Sequence, residues 1–476
     1  MTTSSVVVIG GGIAGLAAAY ELTGGAAGPG PHTPRVEVIE SQTRWGGSLA
    51  TAEFAGRTLD LGADGFLARR PEVVDLVRDL GQEADLEPIA ASGAWLYLRG
   101  RLCALPEGLV LGVPTHPSQI RDVPGLTWRS KWAAWRDFHF PHRFHPGEDA
   151  TIGEITRAKL GNELTYQFIE PMIGGIQAGR VDELSARSVF PALLEAARRG
   201  GSLLKEIGTG GPANPGPVSA SRPSGPAFFA LRGGTGSLPA RLVDELTRRG
   251  VVLRPGVTVT RLRRVPEDRP WRVDTDTTTT PADAVILATP AAATARLLSD
   301  LPAVALLARV RTAGAAMVTL RLARSTGLPA TGTGILVPLR TPWRDGGTFM
   351  TTAVTFLDRK WPHLATNDDV VLRIHVGRID DDRWVTISDD DLAERVAREL
   401  SVIIGAPVEP LEWRVQRWPA GLPQYEVGHD ELVERAKEAA RGVGVALAGN
   451  AYDGVGIPAS IGSGRRAARE VLAALA

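Results

Sequence analysis

The stretch Val6–Gly15, with the sequence VVVIGGGIAG, decides the fold of this chain. Its four β-branched residues predict a short buried parallel strand, and the apolar residues after the glycines predict a helix to about Thr23. Between them, Gly10 permits a tight turn, Gly12 lets the backbone approach a pyrophosphate, and Gly15 lets helix and strand pack closely. N–H groups at the start of the helix can hold phosphates. The segment therefore predicts a Rossmann-like dinucleotide-binding turn with contacts at Gly10, Gly11, Gly12, Ile13, Ala14 and Gly15.

The next predicted strand, Arg35–Ile39, ends at Glu40. A carboxylate at this position can accept hydrogen bonds from both hydroxyls of a ribose and disfavours a 2′-phosphate. Glu40 lies further along the chain than the usual spacing of about 20 residues after the turn. The Gly/Pro-rich insertion Gly24–Pro34 accounts for the extra length, because a surface turn can absorb it. A chance glycine turn is the alternative, but it would not explain the strand, the helix and the acid together.

The composition excludes several classes of protein. The chain has 476 residues, 43% of them hydrophobic and 22% charged, which is typical of a folded enzyme of two or three domains. Its 53 basic residues balance 53 acidic ones, so we expect no nucleic-acid partner. The one cysteine, Cys103, excludes an internal disulfide or a multi-cysteine metal site, and we expect it to be a small buried residue.

The N-terminus and the hydropathy pattern predict a cytoplasmic location. No apolar run reaches about 18 residues, and the first residues lead into a strand without the charged start of a signal peptide. Peripheral contact with the inner face of the membrane stays open.

Four further segments carry glycines or lead into a helix after the first turn. Arg44–Ser48 (RWGGS) adds a second glycine pair after the acid, and Leu59–Gly65 (LDLGADG) adds another glycine-bearing stretch. Near the C-terminus, the predicted strand Gly442–Gly449 and the turn Asn450–Ile457 lead into a helix that we expect to begin at Pro458. These segments resemble FAD enzymes of the amine-oxidase and phytoene-desaturase group. Nicotinamide-binding Rossmann domains normally lack the second glycine pair.

The resemblance implies which residues hold FAD. The predicted strand Val251–Val259 resembles the segment whose valine backbone meets adenine, with Val257 as the candidate, and Arg44 can partner a phosphate or a nearby acid. The flavin of tethered amine oxidases is held by a terminal cysteine, which this chain lacks, so non-covalent FAD is expected. The implied cofactor residues beyond the first turn are Glu40, Ser41, Arg44, Gly46, Gly47, Ser48, Gly62, Ala63, Asp64, Gly65, Val257, Trp418, Gly449, Val455, Gly456 and Ile457.

Two other segments narrow the resemblance from flavin enzymes in general to one family of them. Gly174–Ser185 (GGIQAGRVDELS) is similar to a turn and strand signature of the protoporphyrinogen and coproporphyrinogen oxidase family, and Trp418–His429 (WPAGLPQYEVGH) is similar to its W…PQY…GH segment. The chain departs from the family pattern at Trp45, at Gln177 and in the insertion Gly208–Ala227. These departures concern the details of the substrate pocket and not the family.

The resemblance implies a six-electron oxidation of a porphyrinogen to a porphyrin. Three hydrides pass to flavin N5, and molecular oxygen is the electron acceptor. We favour coproporphyrinogen III, as in the Gram-positive bacterial branch, with handover of the product to a downstream haem-pathway enzyme left open. The alternatives are protoporphyrinogen IX oxidation, another amine oxidase or desaturase activity, and a non-redox binding protein of the Rab-escort type.

The resemblance also implies substrate contacts at Gly175, Ile176 and Leu336, for which a turn and a core leucine are the plainer interpretations. Arg69 and Arg70 are candidates for pairing with the substrate's propionates, although either arginine could instead solvate the start of the helix at Pro71. No residue is assigned as an acid or a base, because hydride transfer mainly requires positioning.

The predicted fold class is α/β, with a discontinuous FAD-binding dinucleotide domain, a mixed-sheet substrate domain and an inserted helical domain. Gly208–Ala227 is dominated by Gly, Pro, Ser and Ala, which predicts a flexible loop. The predicted boundaries are 1–72, 228–295 and 435–476 for the FAD domain, 73–94 and 296–434 for the substrate domain, 95–207 for the helical domain and 208–227 for the loop.

The segment Trp128–His145 is rich in Trp, Arg, Phe and His. Aromatic packing between helices is the favoured interpretation, and a surface that faces lipid is the alternative. His139, His142 and His145 are not expected to bind a metal, because prolines at 141 and 146 interrupt a common helical face.

Overall fold

The computed structural model describes residues 3–209, 226–344 and 346–476, which form two compact units. The first unit contains residues 3–88, 227–311 and 430–476, and the second contains the described residues of 89–226 and 312–429. The mixture of parallel and mixed sheets with helices confirms the predicted α/β class. The three-domain boundaries stay a prediction, and residues 210–225 of the predicted flexible loop lie outside the described residues.

The strands are numbered in chain order. They are β1 Ser5–Ile9, β2 Arg35–Glu40, β3 Thr51–Phe54, β4 Arg57–Asp60, β5 Phe66–Leu67, β6 Leu86–Pro88, β7 Trp95–Leu98, β8 Arg101–Ala104, β9 Phe228–Leu231, β10 Val252–Pro255, β11 Val259–Arg264, β12 Trp271–Thr275, β13 Thr279–Ala282, β14 Ala284–Leu287, β15 Thr312–Ala323, β16 Gly334–Leu336, β17 Thr351–Phe356, β18 Asp369–Val376, β19 Glu412–Pro423 and β20 Val445–Leu447.

The α-helices are numbered in the same way. They are α1 Ile13–Leu22, α2 Pro71–Asp79, α3 Ser118–Arg121, α4 Trp128–His139, α5 Ile152–Leu164, α6 Glu170–Gln177, α7 Ala186–Val189, α8 Pro191–Arg199, α9 Leu203–Gly208, α10 Ser237–Arg248, α11 Ala291–Leu297, α12 Pro302–Ala305, α13 Leu357–Lys360, α14 Arg383–Thr386, α15 Asp389–Ile404, α16 His429–Arg441 and α17 Ile457–Leu475.

A parallel sheet organises the first unit, with the strand order β10-β2-β1-β14-β20. The three valines of β1 are fully buried, as their uninterrupted apolar run predicts for a strand covered on both faces. The predicted strand at the glycine turn and the helix after it are therefore confirmed. Helix α17 packs on α1 so closely that a Cβ on Gly464 would overlap the carbonyl oxygen of Ala14.

The prediction of one strand over Val251–Val259 is wrong. The chain leaves β10 after Pro255 and enters β11, which belongs to a different sheet, at Val259. At the break, Gly256 N–H donates to Gln42 O and Val257 N–H donates to Glu40 O, both at 2.9 Å. These bonds bend the segment around the end of β2, and local sequence periodicity could not report them.

Residues 73–88, which the sequence analysis assigned to the substrate domain, pack in the first unit. Val73, Leu76 and Val77 on one face of α2 are fully buried in the same core as α1 and α17. The apolar spacing of α2 thus matches a helix that covers this core.

The second unit contains a mixed seven-stranded sheet with the order β19-β15-β18-β17-β16-β7-β8. Its pairs are antiparallel except β16 with β7. Helix α15 buries Leu392, Val396 and Leu400 in the same core as this sheet. The helices from α4 to α9 share a separate core, in which Cys103 is also buried as expected.

Two helices in this region end at residues that break the helical conformation. Helices α7 and α8 are separated at Phe190, because the following Pro191 disfavours a helical conformation of the residue before it. Gly174–Gln177, expected as a turn, is the last turn of α6, which ends at Ala178 in a left-handed conformation with φ 49°.

The aromatic segment Trp128–His145 also differs from the favoured interpretation. Residues 128–139 form α4, yet the side chains of Trp128, Trp132 and Trp135 are exposed, as is Phe140 just after the helix. Helix packing thus does not cover these four rings.

Candidate functional site

The glycine turn after β1 leaves no room for side chains at two positions. Gly10 has a φ of +108°, and a Cβ there would overlap the carbonyl oxygen of Ala288 on the neighbouring strand segment. A Cβ on Gly15 would overlap the carbonyl oxygen of Gly10 itself. The turn and the close packing of helix on strand therefore depend on these two glycines, as predicted.

Gly12 differs, because it faces open space. The nearest atom to a Cβ on Gly12 would be Gly47 Cα at 4.0 Å. Gly12 is the N-cap of α1, and no side chain caps the helix, so its first N–H groups are directed at this space without a side-chain acceptor.

The second glycine pair lies across from the first. Gly46 N–H donates to Gly11 O at 2.8 Å, and a Cβ on Gly47 would come within 3.3 Å of Gly12 Cα. The two backbones thus form a cradle that side chains would fill, next to an uncapped helix N-terminus. The partial positive charge of the uncapped helix N-terminus fits a diphosphate.

Glu40 lies at the edge of the cradle. Its Oε2 accepts from Gly11 N–H at 2.6 Å and its Oε1 accepts from Gln42 N–H at 2.8 Å. Ser41 Oγ donates to the same Oε1 at 3.1 Å. Because each carboxylate oxygen can accept more than one hydrogen bond, the fixed carboxylate keeps capacity for ribose hydroxyls. Its role as a ribose ligand stays a prediction.

The side chain of Arg44 contacts its own loop. Its guanidinium donates to the carbonyl oxygens of Trp45 at 3.1 Å and Leu49 at 3.0 Å, and also to that of Gly47. These bonds hold the second glycine pair in place, and the phosphate role of Arg44 stays a prediction. The Trp45 ring, which departs from the family pattern, lies where a Cβ on Gly11 would be.

The stretch Gly62–Gly65 is held from one side by Thr235. Thr235 N–H donates to Asp60 Oδ1 at 2.6 Å, and Thr235 Oγ1 lies within hydrogen-bond distance of both Asp60 Oδ1, at 2.8 Å, and Ala63 O, at 2.9 Å. Asp60 is buried and ends β4. This anchoring gives Gly62, Ala63, Asp64 and Gly65 a defined position in the first unit.

The C-terminal turn presents a second uncapped helix. Helix α17 begins at Ile457, so Pro458 is its second position and not the first as predicted, and Gly456 is an N-cap without a side-chain bond. Gly449 N–H donates to Ser463 Oγ at 3.0 Å. This turn brings Gly449, Val455, Gly456 and Ile457 to one end of α17.

Asp453 holds this turn together. Lys437 Nζ and Arg466 Nη2 each lie 2.8 Å from its carboxylate, and Ser463 Oγ also donates to it. Burial alone would raise the pKa of Asp453, but Arg466 and Lys437 hold this pKa below its usual range. Asp453 is therefore a charged anchor of the turn.

The predicted substrate residues come together in the second unit. Gly175 and Ile176 lie in the last turn of α6, where both are exposed, with 49% of Ile176 accessible. A Cβ on Gly175 would meet only Leu336 Cδ2, at 3.9 Å. The three residues therefore border open space, and their substrate role stays a prediction. Trp418 also lies in this unit, on β19.

The two segments that narrowed the resemblance contact each other. Gln424 Nε2 donates to Gln177 O at 2.9 Å, and Ser185 N–H donates to Tyr425 O at 2.8 Å. A Cβ on Gly179 would overlap the Gln424 side chain. Gln424 thus supports the end of α6, where Gly175 lies, and Tyr425 holds the segment after it at Ser185.

A buried charge cluster that the sequence did not predict lies behind α6. Arg378 is 2% exposed, and its Nη1 would lie 2.9 Å from a Cβ on Gly174. Glu170, one turn earlier in α6, is 3% exposed, and burial raises its pKa against the attraction of Arg378, Arg340 and Arg180. Single charged residues without a motif carry no sequence signal for such a cluster.

Arg69 and Arg70 differ in their surroundings. Arg70 Nη2 pairs with Glu72 Oε1 at 2.7 Å and its Nε bonds to the same carboxylate, so Arg70 stabilises the start of α2. No acid among the described residues pairs with Arg69, and burial together with the charge of Arg70 lowers its pKa.

In the part of the chain that the structure describes, no group of three or more His, Cys, Asp and Glu side chains could hold a metal ion. Among the helices described, none combines the length and the apolar character that crossing a membrane would require.

Comparison with known proteins assigns the family. Residues 13–472 match the family model of flavin containing amine oxidoreductases. The coproporphyrinogen III oxidase of Bacillus subtilis (strain 168) is 31% identical over 471 residues, which cover 98% of this chain and 97% of the relative. That of Mycobacterium leprae (strain TN) is 32% identical over 483 residues and covers 100% of both chains.

A solved structure is also similar over the full length. The crystal structure of an Exiguobacterium sp. 255-15 protein, whose name refers to protoporphyrinogen oxidase, superimposes with a TM-score of 0.86 at 32% identity and covers 99% of each chain. The chain therefore belongs to the family of flavin containing amine oxidoreductases, and it is an oxidoreductase that uses a flavin.

Proposed function

We propose that this enzyme oxidises coproporphyrinogen III to coproporphyrin III, with FAD as its cofactor and molecular oxygen as the electron acceptor. The observation that carries the proposal is the contact of Gln424 with Gln177 at the end of α6 and of Tyr425 with Ser185, which joins the two porphyrinogen-oxidase segments. The names of the Bacillus and Mycobacterium relatives support the same substrate.

The residues around the cradle fit non-covalent FAD. The N-terminus of α1, beside Gly12 and Gly47, would hold the diphosphate, and Glu40 would hold the ribose hydroxyls. Because Val257 N–H is bonded to Glu40 O, an adenine contact would use its carbonyl oxygen. The N-terminus of α17 would stabilise negative charge on the reduced flavin. When bound, FAD supplies the hydride acceptor and the route for electrons to oxygen.

Substrate positioning is the contribution of the second unit in this proposal. The exposed end of α6 at Gly175 and Ile176, with Leu336 beside it, offers an apolar surface against which a flat macrocycle can lie. The side-chain hydrogen of Gly175 leaves that surface clear. Placement of the substrate's methylene carbons then accounts for the rate, without an assigned acid or base.

The four propionates of coproporphyrinogen need cations or water. We assign this role to Arg69 before Arg70, because Glu72 already neutralises Arg70. A charged pair at a partly wet site contributes about 1–3 kcal/mol, which is about a tenfold to hundredfold preference.

A direct assay tests the proposal. The purified protein should be yellow, release FAD on denaturation by acid or heat, and oxidise coproporphyrinogen III under air faster than protoporphyrinogen IX. Flavin that stays with the denatured chain would contradict the non-covalent assignment. Faster oxidation of protoporphyrinogen IX, or of amines, would replace the substrate assignment. A protein without flavin would favour the non-redox alternative.

The two arginines provide a matched pair for the propionate assignment. Arg69→Ala should lower kcat/KM for coproporphyrinogen III about tenfold, and less for the two-propionate substrate. Arg70→Ala removes a neighbouring charge of the same kind, but should have a smaller effect because Glu72 holds that guanidinium. Equal effects of the two variants on both substrates would remove Arg69 from the proposed site.

The proposal also covers location and partners. It places the enzyme in the cytoplasm, with peripheral contact to the inner face of the membrane, and makes a downstream enzyme of the haem pathway the recipient of its product.

A further inference from the structure

The short segment Gly377–Ile379, which follows β18, has a constrained backbone. Gly377 has a φ of +96°, and a Cβ there would lie 2.6 Å from Trp384 Nε1. Directly after it, Asp381 N–H donates to Arg378 O at 3.1 Å and closes a turn. The side chain of Arg378 therefore starts from a backbone position that its neighbours fix on both sides.

This segment contacts the end of α6. Ile379 N–H donates to Ala178 O at 2.7 Å, where the helix ends. The guanidinium of Arg378 packs against the helix backbone, since a Cβ on Gly174 would lie only 2.9 Å from its Nη1. Glycine at 174 thus admits the guanidinium to the helix one residue before Gly175.

The same guanidinium also contacts the end of β16. Arg378 Nη2 donates to Val337 O at 3.2 Å, and Val337 directly follows Leu336, the last residue of the strand. Leu336 and Gly175 face each other closely, because Leu336 Cδ2 would lie 3.9 Å from a Cβ on Gly175. One side chain therefore contacts both of the elements whose ends carry the proposed substrate residues.

A buried counter-charge keeps Arg378 in this place. Arg378 and Glu170 are both buried, and Glu170 lies one turn before Gly174 in α6. Among the acids, the charge of Glu170 favours the charged guanidinium most, followed by that of Asp381. Moving Arg378 into water would leave the Glu170 carboxyl group buried without the cation that acts on it most strongly, which is unfavourable.

We propose that Arg378 is a positioning residue that sets the separation between the ends of α6 and β16 and thereby holds the substrate in place for hydride transfer. The inference rests on the proposed function, and Arg378 acts through Gly175 and Leu336 rather than by touching the substrate. Hydride transfer depends steeply on placement, and a shift of about 1 Å can lower a rate about a hundredfold. A differently shaped side chain at 378 would let the two ends move relative to each other.

A double variant separates this role from a general contribution to stability. Arg378→Met alone should lower the thermal midpoint, because Glu170 stays buried without its cation. Arg378→Met/Glu170→Gln removes both charges together, so its thermal midpoint should return close to that of the wild type. Its kcat for coproporphyrinogen III should nevertheless be at least about tenfold lower, with a smaller change in KM and full flavin content.

Arg378→Lys tests whether the charge or the shape matters. Lysine keeps a positive charge near Glu170, but it lacks the planar fork that contacts α6 and β16 together. We expect this variant to be more stable than Arg378→Met and still to lose about tenfold in kcat. A role limited to charge pairing would instead let lysine restore kcat.

A matched control uses another arginine–glutamate pair. On α10, in the first unit, Arg249 Nε lies 2.7 Å from Glu245 Oε1, and its guanidinium lies 4.4 Å from the centre of the Tyr20 ring. Arg249→Met/Glu245→Gln should leave kcat unchanged, whatever its thermal midpoint.

The outcomes distinguish this inference from the function on which it rests. A wild type that does not oxidise coproporphyrinogen III would overturn both. A wild type that does so, with full kcat in the folded double variant or in Arg378→Lys, would overturn the positioning role alone. If the double variant does not fold, the kcat of Arg378→Lys decides.

Discussion

The glycines at the start of α1 and those at the end of α6 differ in what a side chain would meet. At Gly10 and Gly15, an added Cβ would overlap backbone carbonyl oxygens of the protein itself. At Gly175, the nearest atom to an added Cβ would be the flexible end of Leu336, at 3.9 Å. The first pair is therefore required by the fold, whereas the fold tolerates a side chain at Gly175.

The contact that an added Cβ would make therefore separates glycines that the fold requires from glycines that a ligand can require. Where packing leaves no room for a side chain, the fold alone explains why the residue is glycine, whatever the protein binds. A glycine in an exposed helical turn lowers stability relative to alanine, so its presence at 175 suggests a demand from outside the chain. Gly12 belongs to the second kind, since only Gly47 lies within 4.0 Å of its Cβ position.

The largest effect is expected for Gly15→Ala. The new Cβ would overlap Gly10 O, which is backbone and can move only if α1 separates from β1. We expect a loss of about 1–3 kcal/mol in the free energy of unfolding, because overpacking against a rigid backbone is not relieved by rotamers. Urea unfolding measures this loss of free energy, and the flavin content of the purified variant shows whether the cofactor is still bound.

Gly12→Ala is the control for that variant. Its Cβ has space, so the unfolding free energy should change little, while the affinity for flavin falls. Equal destabilisation by the two variants would break the distinction between glycines that the fold requires and glycines that leave space.

A smaller effect, on activity alone, is expected for Gly175→Leu. The side chain would occupy the proposed place of the macrocycle, so turnover should fall at least about tenfold, while flavin binding is kept. Gly175→Ala should raise the unfolding free energy by up to about 1 kcal/mol, from the higher helix propensity of alanine. Steady-state kinetics and thermal unfolding of both variants measure these effects.

Gly174→Ala, in the same turn of α6, is the variant with which Gly175→Ala is compared. Its Cβ would lie 2.9 Å from Arg378 Nη1, so we expect this variant to lose stability although it is only one residue away. If Gly175→Leu kept full turnover, the substrate surface would not lie at this end of α6.

The smallest expected effect is on the pH dependence of stability, through Glu170 in α6 and Asp453 in the turn before α17. The two acids change stability in opposite directions as the pH rises. The pKa of Glu170 is raised by burial, so the folded state keeps its proton at a higher pH than the unfolded chain does, and stability is lost as the pH rises through the folded-state pKa. The pKa of Asp453 is lowered by Arg466 and Lys437 despite its burial, so its stabilisation is present at neutral pH and is lost as the pH falls through the folded-state pKa.

Thermal unfolding from acid to neutral pH separates the two cases. Relative to wild type, Glu170→Gln should gain stability as the pH rises above the normal range of a glutamate. Asp453→Asn should be less stable than wild type at neutral pH, and this difference should shrink below about pH 4. Parallel pH profiles of the two variants would contradict both assignments.

Patterns within one short stretch of sequence predicted β1, the glycine turn and α1 in the first unit correctly. The apolar run of β1, the glycine turn and α1 form one continuous segment, so the residues that decide their structure are neighbours in the sequence. The same segment also predicted that glycines precede an uncapped helix N-terminus. Further segments along the chain resemble flavin enzymes, and this resemblance predicted the family.

Other features depended on residues far apart in the chain. The break after Pro255 arises because Gly256 and Val257 bond to Gln42 and Glu40. The assignment of Arg69 over Arg70 follows from the side-chain geometry of Glu72, since charge type alone makes the two arginines equivalent. The exposure of the α4 tryptophans became clear only with the buried contact of Asp137 to Ser202 and Leu204.

The α/β class, the glycine turn and the flavin family could be predicted from the sequence, because they depend on local periodicity, backbone freedom and motifs within short segments. The folded chain was needed to show which glycines have space in front of them, which cations are already paired, and which face of α4 is exposed. The physical reason is that space, pairing and exposure are set by atoms from distant segments, and a pattern along the chain does not report which of those atoms meet.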